Sequence, residues 1–215
     1  TEEVNVVTLE DPVEYNIDGV NQVQINEKTG MDFANGLRAI LRQDPDIIAV
    51  GEIRDGETAQ ISMRAAITGH VVLSTIHTND AVGTIERLED IGVEPYLVAA
   101  ALRAVISQRL VRRICPKCKK SYEATDEEVS RLGLSTEHKH IFYRGEGCAD
   151  CFNTGYRGRI GVFEILEITP EIRSLISCQA GRAVIEKELA GVQSGHKTLR
   201  ENAIQLVEEG ITTCE

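Results

Sequence analysis

Hydrophobic and polar positions along the chain follow two periods, which together predict strands separated by helices. Apolar runs predict six strands, at Val4–Leu9, Val20–Ile25, Ile47–Val50, Val71–Thr75, Leu110–Ile114 and Arg159–Ile165. Helical spacing predicts four helices between these strands: one capped by Asp32, one between Gly56 and Gly69, one capped by Asn79-Asp80 and one beginning near Pro95. This alternation predicts an α/β fold with a largely parallel sheet.

The organisation of the chain changes after Arg113. Residues 115–157 are rich in Cys, Lys, Gly and Tyr and contain one short helical pattern, Asp126–Leu132. From Thr169 onward the patterns are helical, at Pro170–Cys178, Arg182–Leu189 and Thr198–Glu209. The runs Gln108–Ile114 and Gly158–Ile165 could pair as antiparallel strands, with the cysteine segment at the tip of the hairpin. We therefore predict a core at 1–114, a zinc-binding cysteine module at 115–157, and a return strand with an all-helical subdomain at 158–215.

One buried strand is followed directly by an acid. In Asp44-Pro45-Asp46-Ile47-Ile48-Ala49-Val50-Gly51-Glu52, the apolar run is typical of a strand that is covered on both faces of a parallel sheet. Gly51 allows a turn, and Glu52 then lies at the carboxyl edge, where open α/β sheets bind ligands. A carboxylate there needs a metal, a cation or water as its partner. On this stretch alone, an ordinary strand that ends in an acid is an equally good interpretation.

Composition limits the classes of partner. The formal net charge of −11 argues against nucleic acid or an anionic membrane as the main partner. The core must be aliphatic, since aromatic residues make up 4% of the chain and tryptophan is absent. No apolar run approaches the roughly 20 residues of a membrane helix, and no signal peptide is visible.

Three acids, Glu10, Asp11 and Glu14, follow the first predicted strand within five residues. Crowded carboxylates repel one another unless a cation lies among them. Phosphoryl transfer to water needs Mg²⁺ and a group that orients or deprotonates the water. Together with Glu52, these acids could supply both functions. On this segment alone, a solvated acidic turn is the favoured interpretation.

Two histidines bracket the predicted strand Val71–Thr75. An extended chain separates His70 from His77 by roughly 23 Å, so they cannot contact the same phosphate. His77 follows the carboxyl end of the strand, at the edge of Glu10 and Glu52, and is a candidate phosphate contact. We expect a structural role for His70.

Three arginines are further candidate contacts for a nucleotide: Arg38, Arg42 and Arg54. Because the chain is acidic overall, an anionic ligand would need such side chains gathered at one place. A solvated arginine on a helix or in a loop remains the simpler interpretation for at least one of the three.

Four of the six cysteines form two Cys-x-x-Cys pairs, Cys115–Cys118 and Cys148–Cys151. Two such pairs are typical of a closed structural zinc site, so we predict Zn²⁺ bound by Cys115, Cys118, Cys148 and Cys151. His138 and His140 lie between the pairs as alternative ligands. A redox role for one pair is the other alternative, although the thioredoxin context is absent.

In this order, the elements resemble those of the secretion ATPase superfamily, which comprises the type II secretion and type IV pilus assembly ATPases. Thr8–Glu14 resembles the Asp box of this family, Leu41–Asp55 its Walker B element and Thr68–Asn79 its His box. The resemblance continues through Gln108–Leu110, the cysteine pairs and Gly155–Arg159, and so covers essentially the whole chain. Pilus retraction ATPases share the three boxes but lack the tetracysteine insertion, which favours the assembly or secretion branch.

The resemblance implies a partial RecA-like ATPase core that uses Mg²⁺ and ATP. It implies that Glu14 activates water, that Glu52 lies near Mg²⁺ and that His77 contacts a phosphate. It also implies a cytoplasmic homo-hexamer that docks on inner-membrane platform proteins and couples ATP hydrolysis to polymerisation of pilins or pseudopilins. No direct contact with nucleic acid is expected.

The phosphate-binding loop of such ATPases does not occur in this chain. The sequence contains no G-x-x-x-x-G-K-[ST] loop and no Gly-Lys dipeptide. We therefore expect the chain to be the C-terminal part of a longer ATPase and to be inactive by itself. The alternatives are a zinc-bearing scaffold, which leaves Glu14, Glu52 and His77 unexplained, and a conjugation-type traffic ATPase, which leaves the cysteine insertion unexplained.

Overall fold

The computed structural model describes residues 3–191 and 195–214, which divide into two compact units. Unit 1 comprises Thr1–Val105 and Leu166–Ser194, and unit 2 comprises Ile106–Ile165 and Gly195–Glu215. This division follows compactness alone. The three segments predicted from the sequence were defined by their expected functions, so the two units do not test them. Their boundaries at residues 114 and 157 stay a prediction.

All the predicted strands and helices are present in the described residues. The strands are β1 Val6–Glu10, β2 Asn21–Gln24, β3 Ile47–Val50, β4 Val71–Ser74, β5 Ala104–Ile114, β6 Lys119–Glu123, β7 Ile141–Gly145 and β8 Tyr156–Glu167. The helices are α1 Phe33–Ile40, α2 Gly56–Ile67, α3 Ala81–Asp90, α4 Pro95–Ala101, α5 Asp126–Leu132, α6 Pro170–Ser177, α7 Arg182–Leu189 and α8 Leu199–Glu208. No helix in these ranges has the length and apolarity needed to cross a bilayer.

The sheet of unit 1 has the strand order β2-β1-β3-β4 and is parallel throughout, so the predicted α/β fold is confirmed. In the register of this sheet, Leu9 lies opposite Val50, and Val50 lies opposite Ser74. The strands β1, β3 and β4 therefore end at the same level. The loops that follow them, which carry the predicted site residues, begin at one edge of the sheet.

The apolar core of this sheet explains why α1 forms where the pattern predicts it. Leu37 and Ile40 of α1 are buried against Leu9 and Ile48 of the strands. Asp32 caps the helix, because its carboxylate accepts the backbone N–H of Asn35 at 2.7 Å.

A second core in unit 1 joins α3 and α4 to helices from the C-terminal region. Val98 of α4 is buried together with Ile172 and Ile176 of α6 and Ile185 of α7. The helices predicted after Thr169 are confirmed, but they divide between the units, since α8 belongs to unit 2. Their apolar faces are buried in different places, which the sequence pattern could not show.

Unit 2 contains two pairs of strands. β5 pairs with β8, as predicted, and the cysteine segment runs between them. β6 pairs with β7 in antiparallel register, and the sequence analysis missed both of these strands. β6 is polar apart from Tyr122, and the apolar part of β7 is limited to Ile141, Phe142 and Tyr143, so their pairing with each other defines them.

Candidate active site and metal centre

Short loops hold the carboxyl ends of β1, β3 and β4 side by side. Gly51 N donates to Leu9 O at 2.7 Å, and Thr75 Oγ1 donates to Gly51 O at 2.7 Å. Ile53 N also donates to Thr75 O at 2.9 Å. A Cβ atom at Gly51 would lie 3.0 Å from Leu9 O, so this close crossing favours glycine. These bonds bring the loops after the three strands to one place.

Glu52 is central to the charged groups at this edge. Arg54 Nη2 donates to Glu52 Oε1, and His77 Nε2 lies 3.7 Å from Glu52 Oε2. The hydrogen bond from Arg54 is the main cause that keeps the pKa of Glu52 below its ordinary 4.5. The side chain of Glu52 is 18% exposed and that of His77 is 95% exposed. The imidazole is therefore accessible to an incoming anion.

Glu10 is held by neutral partners that sequence reasoning did not identify. Gln22 Nε2 donates to Glu10 Oε1 at 2.8 Å, and Thr8 Oγ1 donates to the same oxygen at 2.5 Å. The bond from Gln22, followed by that from Thr8, lowers the pKa of Glu10. Thr8 lies opposite Gln22 in the sheet register. In the sequence, the only indication of this contact was that Thr8 and Gln22 are polar residues within two predicted strands that follow one another.

Arg54 lies among carboxylates. Its hydrogen bond to Glu52 is the largest cause that raises its pKa, and the charges of Asp11 and Glu27 act in the same direction. The predicted site residues Glu52, Arg54 and Asp11 are therefore neighbours. A phosphate that reached Arg54 would have to share or replace its bond to Glu52.

The other two candidate arginines have different surroundings. Arg38 forms an ion pair with Glu57 at the start of α2. Arg42 follows α1 and precedes Gln43, whose carbonyl accepts Asn5 Nδ2 at 3.0 Å. Since Asn5 precedes β1, this bond places Arg42 at the amino-terminal edge of the sheet, away from the cluster. Nucleotide contacts by these two residues stay a prediction.

Glu14 lies in the exposed loop between β1 and β2. Gln22 anchors this loop, because Gln22 Nε2 donates to Tyr15 O at 2.9 Å as well as to Glu10. Within residues 3–191 and 195–214, no hydrogen bond or ion pair joins Glu14 to Glu52. The structure thus ties the base of the loop to Glu10 and leaves the carboxylate of Glu14 in solvent.

The amino-terminal edge of the sheet is unsuited to a phosphate. A cavity of about 820 Å³ lies there, and its acidic lining includes Asp18, Asp44 and Asp46. His70 is at the same edge, where its Nδ1 lies 3.1 Å from Ala65 O at the end of α2. This contact agrees with the structural role expected for His70.

The four predicted thiolates converge on one point. All four Sγ atoms lie within 4.8 Å of one another, with 3.9 Å between Cys115 and Cys148, 3.8 Å between Cys118 and Cys151, and 3.7 Å between Cys148 and Cys151. Sulfurs at about 2.3 Å from a tetrahedral Zn²⁺ are about 3.8 Å apart. The cluster is thus spaced for zinc, and it includes none of the described histidines.

Backbone groups shape the cysteine cluster. Burial raises the pKa of the Cys118 thiol. Burial by itself would also raise the pKa of the Cys151 thiol. Hydrogen bonds from the backbone of Cys148 and Gly155 outweigh this effect, and the pKa of Cys151 is lowered. A Cβ atom at Gly145 would lie 2.0 Å from Gly155 O. The chain can therefore pass this closely beside the cluster only with glycine at residue 145.

Comparison with known proteins agrees with these features. The family described as "Type II/IV secretion system protein" matches residues 1–215. The Type II secretion system ATPase E of Vibrio cholerae is 46% identical over 213 residues, which are 99% of this chain and 42% of that protein. The Type IV pilus assembly ATPase PilB of Thermus thermophilus is 50% identical over 217 residues, which cover 100% of this chain and 24% of that protein. The chain spans less than half the length of these relatives.

Two solved structures share the fold. The pilus retraction motor PilT with bound ADP is 30% identical, with a TM-score of 0.68 over 98% of this chain and 50% of that chain. The Legionella pneumophila ATPase DotB is 23% identical, with a TM-score of 0.67 over 98% of this chain and 49% of that chain. The second likeness concerns the fold alone.

Proposed function

Because the chain belongs to the type II/IV secretion system protein family, we propose that it holds the catalytic acids of a secretion or pilus-assembly motor ATPase. The observation that supports this proposal is the gathering of acids, Arg54 and His77 at the carboxyl edge of three neighbouring parallel strands. Relatives in the family are ATPases of type II secretion and of type IV pilus assembly. The related PilT structure holds ADP.

In this proposal, Glu10, Asp11 and Glu52 hold Mg²⁺, which would neutralise charge on the phosphates. Glu52 is ionised at neutral pH, as an oxygen ligand must be, and the bond from Arg54 lowers its pKa further below the ordinary 4.5. Both hydrogen bonds from described residues to the Glu10 carboxylate go to Oε1, which leaves Oε2 for the cation.

The remaining predicted residues act on water and phosphate. Glu14 accepts a proton from the attacking water, a role that its solvent-exposed position permits. His77 donates to a phosphate oxygen from its exposed position beside Glu52. Positive charge for the phosphates comes from Arg54 and Arg38, whereas Arg42 lies at the opposite edge of the sheet.

The phosphate-binding loop must come from residues outside this sequence. β4 is at the edge of its sheet, and Val71 and Leu73 on one of its faces are exposed. Parallel strands are normally covered on both faces, so this face is suited to further elements of the core. Without the loop, the chain alone should bind MgATP no more tightly than the millimolar range and should not turn it over. Calorimetric titration measures this, and micromolar affinity with turnover would contradict the assignment.

The proposal is tested in the protein expressed from its complete gene. Glu14→Gln preserves the shape of the side chain but removes the base, so ATP should still bind while kcat falls roughly 10²–10⁴-fold. Asp18→Asn, in the same exposed loop, is the matched control and should retain turnover. Near-normal turnover in Glu14→Gln would leave the acidic cluster with a metal-ordering or structural role.

We also propose the setting in which this activity operates. Hydrolysis in a homo-hexamer at the cytoplasmic side of the inner membrane drives polymerisation of pilins or pseudopilins through platform proteins. The cysteine segment serves this coupling, so its replacement by a Gly-Ser link should spare ATPase activity but abolish export. In unit 2, however, Tyr143 of this segment packs on Gly210, so substitution of the cysteines is the cleaner test.

A further inference from the structure

The basic residues of the chain are concentrated in unit 2. Unit 1 holds 22 of the 34 acidic residues but 10 of the 23 basic ones, whereas unit 2 holds 12 acidic and 13 basic residues. The stretch between Glu94 and Glu123 contains seven basic residues and no acid. The strongly negative charge of the whole chain therefore lies in unit 1, whereas unit 2 is close to neutral and includes most of a stretch whose charged residues are all basic.

One groove of unit 2, which we call the arginine groove, combines this basic charge with apolar side chains. It has a volume of about 480 Å³ and is lined by residues of β5, α5, α8 and the segment after α8. Its apolar lining includes Leu110, Leu132 and Ile204, and its basic lining consists of Arg112, Arg131 and Arg200. Leu110 is 55% exposed, so the apolar floor is open to solvent.

The guanidinium groups of the groove are held mainly by uncharged partners. Arg200 Nη2 donates to the backbone oxygen of Arg131 at 2.8 Å, and Arg112 lies 4.0 Å above the ring of Tyr156. Arg131 makes an exposed contact of 3.4 Å with Glu127 on its own helix. In the part of the chain that the structure describes, neither Arg112 nor Arg200 has a carboxylate oxygen within 4.0 Å. Their charges are oriented but uncompensated, which favours an anionic partner.

We propose that the arginine groove docks an acidic amphipathic helix of a partner protein. Such a helix can place aliphatic side chains, three or four residues apart, against Leu110 and Ile204 while its carboxylates meet the arginines. Strand addition does not fit, because the adjoining end of β5 already binds the C-terminal segment through Ile114 N to Ile211 O, at 2.9 Å. A flat anionic bilayer would touch the rim without reaching the concave floor.

The chain supplies a matched control for the groove. Arg113 is the residue after Arg112 in β5, so its side chain points to the opposite face of the strand, and it does not line the groove. Arg112→Glu and Arg113→Glu change the charge of the protein equally, but only the first removes a groove arginine. Leu110→Gln tests whether the apolar floor contributes to binding. Because this side chain is already more than half exposed, the substitution should leave the fold intact.

The test is fluorescence anisotropy with the protein expressed from its complete gene. The probe is a labelled Glu/Leu peptide of about five helical turns with an apolar stripe, and a scrambled peptide of the same composition is the comparison. The patterned peptide should bind saturably, and Arg112→Glu, Arg200→Glu and Leu110→Gln should each weaken binding about tenfold. Arg113→Glu should stay within about twofold. Unchanged circular dichroism and metal content in each variant establish that the fold is retained.

Several outcomes would overturn the proposal. If the scrambled peptide bound as tightly as the patterned one, the attraction would be nonspecific. The same would follow if Arg113→Glu weakened peptide binding as much as Arg112→Glu. Binding that depends on Arg112 for phosphatidylglycerol vesicles but not for the peptide would assign the surface to a membrane. Peptide binding only after removal of residues that follow Cys214 would mean that the chain fills its own groove. None of these measurements depends on ATP hydrolysis, so their failure would not count against the proposed catalytic function.

Discussion

Arg182 Nη2 lies 2.7 Å from Asp80 Oδ2, and this ion pair joins the first turn of α7 to the N-cap of α3. Arg182 also contacts Glu186 at 2.7 Å and Glu86 at 3.4 Å. Asp80 is three residues after His77, the candidate phosphate contact. A helix near the end of the chain therefore restrains the segment that leads from the candidate site into α3.

Arg182→Gln should loosen the start of α3. Partly exposed ion pairs contribute up to about 1 kcal/mol, so amides in the first turns of α3 should exchange roughly fivefold faster. Hydrogen exchange with mass spectrometry measures this, with Arg87→Gln on the exposed side of α3 as the control. If amide exchange in α3 accelerated equally in both variants, the loss of any positive charge near the helix, and not the pair with Asp80, would be the cause.

The contribution of Asp80 should be lost in acid. Although burial acts upward on the pKa of Asp80, the bonds from Arg182 and from the amide of Gly83 lower it below 3.8. A carboxyl group with a lowered pKa stabilises the fold above its ordinary pKa and loses that contribution as the pH falls through the folded value. Asp80→Asn keeps an oxygen for the cap, so it should be less stable than the native protein at neutral pH and equally stable in acid. Urea midpoints between about pH 7 and pH 3 measure the difference, which should shrink with falling pH.

The pKa of Glu52 should depend on Arg54 and not on Arg42. Arg54→Gln removes the largest cause that lowers this pKa, so the pKa should rise toward or above 4.5. Arg42→Gln should leave the pKa unchanged, because Arg42 is at the opposite edge of the sheet. A ¹³C NMR titration of the Glu52 carboxyl, assigned with Glu52→Gln, measures both shifts. An effect of Arg42→Gln as large as that of Arg54→Gln would refute the placement of the two arginines.

The cysteine cluster should bind one zinc ion per chain. Cys148→Ser should abolish binding and, because metal ligation supplies folding energy, should also accelerate amide exchange in the β6–β7 pair. Cys178→Ser is the matched control, since Cys178 is exposed and outside the cluster. Elemental analysis gives the metal content. Full zinc retention in Cys148→Ser would mean that the zinc does not depend on this cluster of four thiols.

The features predicted correctly from the sequence are those whose signal is local. The run Ile47–Val50 predicted β3 with its observed bounds, because four adjacent apolar residues before a glycine suit a buried strand. The two Cys-x-x-Cys pairs predicted a four-sulfur cluster, because the spacing within each pair already brings its two thiols together. β6 and β7 were missed because their stability comes from pairing across an intervening helix.

The contacts that complete the candidate site depend on distant residues. Arg42 precedes β3 and Arg54 follows it; the bond from Asn5 to Gln43 locates the first at the amino-terminal edge of the sheet, and the bond to Glu52 locates the second at the carboxyl edge. The bond from Gln22 to Glu10 depends on the register between β2 and β1.

The sequence by itself determined the order of the elements, the acids at the strand ends and the two cysteine pairs, since each depends on residues that are close in the chain. Only the tertiary structure decided which charged side chains face one another and which arginines have no carboxylate beside them among the described residues. Those relationships follow from strand register and helix packing, where small geometric differences change the neighbours of every side chain.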